Sequence, residues 1–235
     1  MAGLQAPDSS GLQAFIASGL QVRGGGGVDL LWNCDRTAPS AVYALNRVDF
    51  SLAFLANLTG FINSGIGGDA GTVWRCNASS VKVYELSSAD LSVVREAASP
   101  SSGPWGMGGK SGTIWHCDQN SNNVYELSTV DFSVVQSATS PSATARGIGG
   151  DSATVWYCNN AVFGAGKIHE LDSFLSSVRS ANTPLASPEG VGGGSSEVWH
   201  CNSAPSPINY ELSLVDLSVV RSAAAVQSTS SGIGG

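Results

Sequence analysis

GIGGDSATVWYCN, residues 147–159, holds the two phrases on which the reading of the fold turns. A glycine cluster leads into a Val-Trp-x-Cys unit, and both recur along the chain. The tryptophans are Trp32, Trp74, Trp115, Trp156 and Trp199, spaced 42, 41, 41 and 43 residues apart. A cysteine follows each by two positions, at Cys34, Cys76, Cys117, Cys158 and Cys201. Glycine clusters begin at Arg23, Gly65, Gly106, Gly147 and Gly190, and a sixth, GIGG, occupies residues 232–235. Each Trp phrase is followed by a tyrosine phrase, from Val42, Val83, Val124, Ile168 and Asn209, in which IHEL replaces Tyr by His169. A Ser-Val-Val-like phrase comes next, from Phe50, Leu91, Phe132, Phe174 and Leu217.

Four short β-prone phrases recurring at this period are the signature of a propeller blade. Helical solenoids of similar period need sustained 3.6-residue apolar spacing, whereas these segments are short, β-branched or aromatic, and broken by Gly, Asn, Ser and Pro. The expected architecture is an all-β, five-bladed β-propeller of 41–43-residue repeats over residues 21–235, with residues 1–20 as an N-terminal arm or latch. The glycine phrase is assigned to the innermost strand, the Trp phrase to the second, the Tyr phrase to the third and the Ser-Val-Val phrase to the edge. A blade buries both faces, so both side-chain rows of a strand can be apolar. Val73 then points to one neighbouring blade, Trp74 and Cys76 to the other. Strands converge near the axis, where only glycine fits.

Charged residues are only 12% of the chain, against about 25% in an average soluble domain. Solubility rests on polar neutral residues, Ser alone occurring 37 times. The net charge of −7 leaves no basic stripe for nucleic acid and little attraction to anionic lipid. No apolar run is long enough for a membrane-spanning helix. Residues 1–22 lack the basic and apolar regions of a signal peptide. Low charge with abundant Ser and Gly favours an extracellular or virion-associated setting over the cytoplasm.

The pattern R-G-I-G-G-D-x(3)-V-W-x-C-N…V-Y-E-L, spread over about residues 21–235, resembles the NHL-type propeller repeat. The proline expected before the glycine phrase is mostly missing, Pro104 and Pro188 coming closest. The resemblance implies a fold and no single activity, because such propellers bind proteins, RNA or sugars and some hydrolyse or isomerise small molecules.

The five cysteines lack zinc-ligand spacing and sit one per blade, too far apart for disulfides. They read as small buried hydrophobes beside tryptophan. Glu85, Glu126, Glu170 and Glu211 recur on the third strand, where Ala44 stands in the first blade, and suit separate surface or interblade hydrogen bonds. Asp69 and Asp151 fit caps of the turn into the second strand. His116 and His200 share one slot in different blades, so no catalytic cluster is nominated, and neither a metal site nor a cofactor is expected. Trp105 alone departs from the Trp pattern. It precedes Gly106 where other blades have Ser64, Arg146 and Glu189, and a place at the axial mouth would let it stack on a ligand.

Near-uniform repetition favours a non-catalytic structural or recognition module, not an enzyme, whose partner is itself or a glycan. The alternatives are a carbohydrate-binding propeller, and a lyase or hydrolase working in the axial pocket. Two segments are surplus to five blades: one glycine phrase, and LQAFIAS at Leu12–Ser18, which reads like LAFLANL at Leu52–Leu58. They either latch the ring within one chain or join subunits, the arm of one copy adding to an exposed edge of another. The cysteine reading is checked by thiol titration: little reaction in the native protein, and five thiols after denaturation without reductant.

Overall fold

The computed structural model describes residues 30–36, 40–58, 63–69, 71–109, 112–160, 166–203, 206–226 and 230–234. Among them are twenty strands and no helix. The strands form five antiparallel sheets of four, the five-bladed propeller expected from the repeat. Blade 1 contains β1 (Leu30–Asp35), β2 (Ser40–Asn46) and β3 (Leu52–Leu58). Blade 2 runs β4 (Asn63–Gly68), β5 (Thr72–Asn77), β6 (Lys82–Ser87) and β7 (Val93–Ala98). Blade 3 follows with β8 (Pro104–Gly108), β9 (Ile114–Asp118), β10 (Asn123–Leu127) and β11 (Val134–Thr139). Blade 4 has β12 (Ala145–Gly150), β13 (Thr154–Asn159), β14 (Lys167–Asp172) and β15 (Ser177–Asn182). Blade 5 has β16 (Pro188–Gly193), β17 (Val198–Asn202), β18 (Ile208–Leu212) and β19 (Val219–Ala224). The last strand, β20 (Ser230–Gly234), pairs with β1 and is the innermost strand of blade 1.

That pairing corrects one assignment. The cluster at Arg23–Gly27 is not the inner strand of blade 1, because Gly232 and Gly234 lie opposite Cys34 and Trp32 in that place. The ring is therefore latched by its C-terminal glycine phrase. The Arg23 cluster and the arm over residues 1–20 lie outside the described residues.

The inner strands meet at the axis through glycine. A Cβ on Gly65, Gly106, Gly147, Gly190 or Gly232 would fall 2.6–3.1 Å from the Cα of the equivalent glycine in the next inner strand. Gly67, Gly108, Gly149, Gly192 and Gly234 form a second such ring, at 2.7–3.1 Å. Between the two rings strand alternation turns Ile66, Met107, Ile148, Val191 and Ile233 away from the axis, into apolar cores.

The cores lie between blades. Trp32 and Cys34 of blade 1 pack with Ile66, Val73 and Tyr84 of blade 2, and the same pairing repeats around the ring. The fifth core closes the circle, setting Trp199 and Cys201 of blade 5 against Leu31 and Tyr43 of blade 1 and Ile233 of β20. All five repeat tryptophans and all five cysteines are buried, and the thiols are free.

Each turn into an outer strand holds a bulky residue at positive φ: Phe50, Leu91, Phe132, Leu175 and Leu217, at 57–63°. This conformation is unusual for such side chains. An Asp side chain accepts from the following Ser N–H in four of these turns, at Asp49, Asp90, Asp131 and Asp216. The turn drops its apolar residue into the interblade core, where Phe50 meets Trp199 edge-on at 5.5 Å.

The axial contact has a direct test. Gly147→Ala places a methyl 2.6 Å from both the Gly190 Cα and the Val191 N, backbone atoms of the next inner strand. It is expected to lower stability by about 1–3 kcal/mol or more, as overpacking does, in thermal unfolding. Gly71→Ala, whose Cβ meets nothing closer than 3.6 Å, should be nearly neutral.

Candidate functional site

The inner strands begin at one face of the ring, and each carries a β-bulge at its first turn of register. The unpaired residues are Ser64, Trp105, Arg146, Glu189 and Ser231. A bulge re-aims the side chain it frees. These five equivalent positions therefore form the mouth of the axial channel, and they differ from blade to blade where the glycines beside them do not.

Arg36, on the connection after β1, completes the mouth. Its guanidinium carbon lies 3.9 Å from the Trp105 ring centroid, and that of Arg146 lies 4.5 Å from it. Both distances are within cation–π range. Arg36 Nη1 is also 3.4 Å from Glu189 Oε2, so this one side chain links blades 1, 3 and 5. Two residues that follow the Trp-x-Cys phrases buttress the others: Arg146 Nη1 donates to Gln119 Oε1 at 3.3 Å, and Ser203 Oγ donates to Glu189 Oε1 at 3.3 Å. Burial raises the pKa of Glu189, against the lowering pull of Arg146 and Arg36. Burial lowers the pKa of Arg36, Glu189 pulling it back up.

Trp105 is thus at the mouth, half-buried, with its ring met by guanidiniums and not open for stacking. Below it the channel narrows between Gly65, Gly106, Gly147, Gly190 and Gly232 and leaves no room for a water molecule. The sequence comparison had paired Trp105 with Ser64, Arg146 and Glu189, but it missed Arg36, since no other repeat has an arginine after the Trp-x-Cys-x phrase.

The other polar residues serve the scaffold. Glu85, Glu170 and Glu211 each hold an arginine of the outer strand, Arg95, Arg179 and Arg221. Each arginine also donates to two backbone carbonyls of the next blade's turn, as Arg95 does to Thr129 and Val130. Gln136 does this work in blade 3, bonding Glu126 and Ser173 O at 2.7 Å each. Blade 1 has Ala44 and Phe54 in these places, and Phe54 packs edge-on against Trp32. Asp69 caps its turn through Gly71 N and Thr72 N, and Asp151 through Ala153 N and Thr154 N. Among the described residues no three of His, Cys, Asp or Glu gather into a metal-sized group.

His116 and His200 are fully buried in separate blades. Each has Nδ1 2.9 Å from an inner-strand carbonyl, of Gly106 or Gly190, and stacks on a tyrosine, Tyr125 or Tyr210. His169 pairs with Asn159 Oδ1 at 3.2 Å. Burial pushes the Cys34 thiol up to about 12 and raises the other four as well.

With the five sheets and the mouth in place, the class is a five-bladed β-propeller with a charged axial opening. No known protein family and no curated protein matches the chain in sequence. Among solved structures it is similar to the glutaminyl cyclase of Myxococcus xanthus, with 12% identity, a TM-score of 0.54, and coverage of 69% of this chain and 77% of that one. It is also similar to a protein of unknown function from Bacteroides caccae, with 11% identity, a TM-score of 0.52, and coverage of 84% of this chain and 73% of that one. At these identities the shared feature is the propeller fold, and the likeness to NHL repeats finds no family match. The expectation that the chain is not an enzyme is corrected here. The Myxococcus protein is an enzyme on a similar fold, so regular repetition of blades does not exclude catalysis.

The buried imidazoles set a pH dependence. Burial lowers the pKa of His116 and His200 to about 4, against about 6.5 for a free imidazole, with Asp118 opposing the shift at His116. Between those values the unfolded chain binds protons that the native one refuses, so stability falls as pH drops from about 6.5 to 4. The loss is up to ~3 kcal/mol for each ring. Thermal unfolding across that window is expected to show it, and His116→Asn with His200→Asn to flatten it. Asn33 already occupies the equivalent slot in blade 1.

Proposed function

We propose that the chain is a structural and recognition ring that joins to copies of itself, Leu12–Ser18 of one copy adding as a strand to the free edge of β3 in another. The supporting observation is the character of that edge. β3 reads LAFLANL, seven uncharged residues of which six are apolar, where the outer strands β7, β15 and β19 each carry an arginine locked to a glutamate and the uncharged β11 carries Gln136 bonded to Glu126. Edge strands are ordinarily guarded by charge or proline, and a long apolar one pairs readily. Ala14-Phe-Ile-Ala-Ser18 repeats the order of Ala53-Phe-Leu-Ala-Asn57, so the arm already has the side-chain pattern of an outer strand.

A second copy suits the rest of the rim as well. Each of the other outer strands exposes valine, Val94, Val135, Val178 and Val220 being 59–61% accessible. Contact between copies buries that apolar rim, which an arm folded onto its own blade leaves in water. Low overall charge keeps the repulsion between copies small.

Deleting Met1–Gly19 is expected to preserve the β-rich circular dichroism while shifting the protein to smaller species in sedimentation velocity. Ala53→Lys, which puts a charge on the edge, should shift it likewise. An intact chain that sediments as a monomer, with a truncated one that unfolds, would make the arm a latch within its own ring and end the assembly reading.

A further inference from the structure

The mouth carries more unsatisfied polarity than a scaffold needs. Among the described residues, Arg146 Nε is buried without a hydrogen-bond partner. The Trp105 indole N–H makes no hydrogen bond of ordinary geometry either, although Glu189 is the carboxyl it faces. Both atoms belong to bulge residues of the adjacent blades 3 and 4, at one end of the channel. Both are N–H donors that can only donate, and a buried donor left unmatched is costly. An acceptor therefore belongs beside them.

Charge narrows the choice of acceptor. Among the described residues, two guanidiniums, Arg36 and Arg146, face one carboxylate, Glu189, which leaves one positive charge there in a chain whose formal net charge is −7. The Arg36–Glu189 contact is loose at 3.4 Å, and Arg36 remains about a third exposed. One monoanion balances the site. A carboxylate also has the planar pair of acceptors that a guanidinium fork matches, and Trp105 holds both guanidiniums against its ring.

We propose that the mouth formed by Trp105, Arg146, Arg36 and Glu189 is a binding site for a single carboxylate group, which accepts from Arg146 Nε–H and the Trp105 indole N–H and draws Arg36 away from Glu189. Glu189 acts as the internal competitor: it holds Arg36 in the empty site and sets the affinity. The site stands on the inner strands and is independent of the β3 edge, so either reading survives the loss of the other.

The carboxylate can come from a small acid, a peptide C-terminus or an acidic sugar, and the experiment separates them. The indole and arginine Nε–H resonances of the full chain are followed by NMR during titration with acetate, pentaglycine and sialyllactose. Acetamide and N-acetylated, amidated pentaglycine serve as neutral controls. Saturable shifts of Trp105 and Arg146 are expected with the carboxylates and not with the controls, and the tightest probe names the source. Arg146→Gln should weaken binding at least tenfold, and Glu189→Gln should strengthen it severalfold by removing the competitor. If Arg146→Gln fails to fold, Arg36→Gln takes its place, with the same weakening expected. Equal response to the neutral controls, no saturation with any carboxylate, or an affinity unchanged or reduced by Glu189→Gln would overturn the assignment.

Discussion

Ten glycine α-carbons, in two rings of five, set how closely the inner strands approach at the axis, and the rest of the molecule follows from that approach. A single methyl at these places meets backbone, which cannot turn aside as a side chain can. Because the strands touch there, every blade stands against two others along its whole length, and its two faces are both interior. A blade has no core of its own. Its apolar residues become useful only when the next blade covers them.

The five interblade cores therefore form a closed circuit. Trp and Cys of one blade are matched by the inner-strand apolar residue, a Val or Ile, a Tyr and the positive-φ residue of the next blade. The outer-strand arginines reinforce the same joints by reaching from a glutamate in one blade to carbonyls of the next. Blade 1 differs, with Phe54 on Trp32 in place of that polar clasp, and its inner strand comes from the far end of the chain. The interface that closes the ring and the most apolar of the outer strands thus belong to the same blade.

Side-chain variety is concentrated where repetition stops. The glycine rings are uniform because sterics at the axis permit nothing else, whereas the bulge just before them frees one side chain per blade from the pairing pattern. Ser, Trp, Arg, Glu and Ser occupy those five places, and only the ring geometry brings them to one opening. Arg36 joins them from another connection, meeting Glu189 of the neighbouring blade 5 and reaching across to Trp105 of the non-adjacent blade 3.

Much of this was legible in the residues alone. The period of the Trp-x-Cys and glycine phrases specifies five blades and the order of strands within them, because hydrophobic alternation and the steric demand of the axis are local properties of each repeat. Burial of the cysteines, the capping by Asp69 and Asp151, and the local partners of the third-strand glutamates follow from the same repeat-level reasoning. Which of two glycine phrases completes blade 1 was not legible, since Arg23–Gly27 and Ser230–Gly234 are equally good inner strands and only ring closure distinguishes them. Nor was the joining of Arg36 to Trp105 and Glu189, residues of three blades separated by 69 and 153 positions in the chain. Sequence determines what each blade is, through contacts a repeat carries within itself. Tertiary structure decides which side chains meet at the mouth, because that opening exists only when all five blades are brought round a common axis.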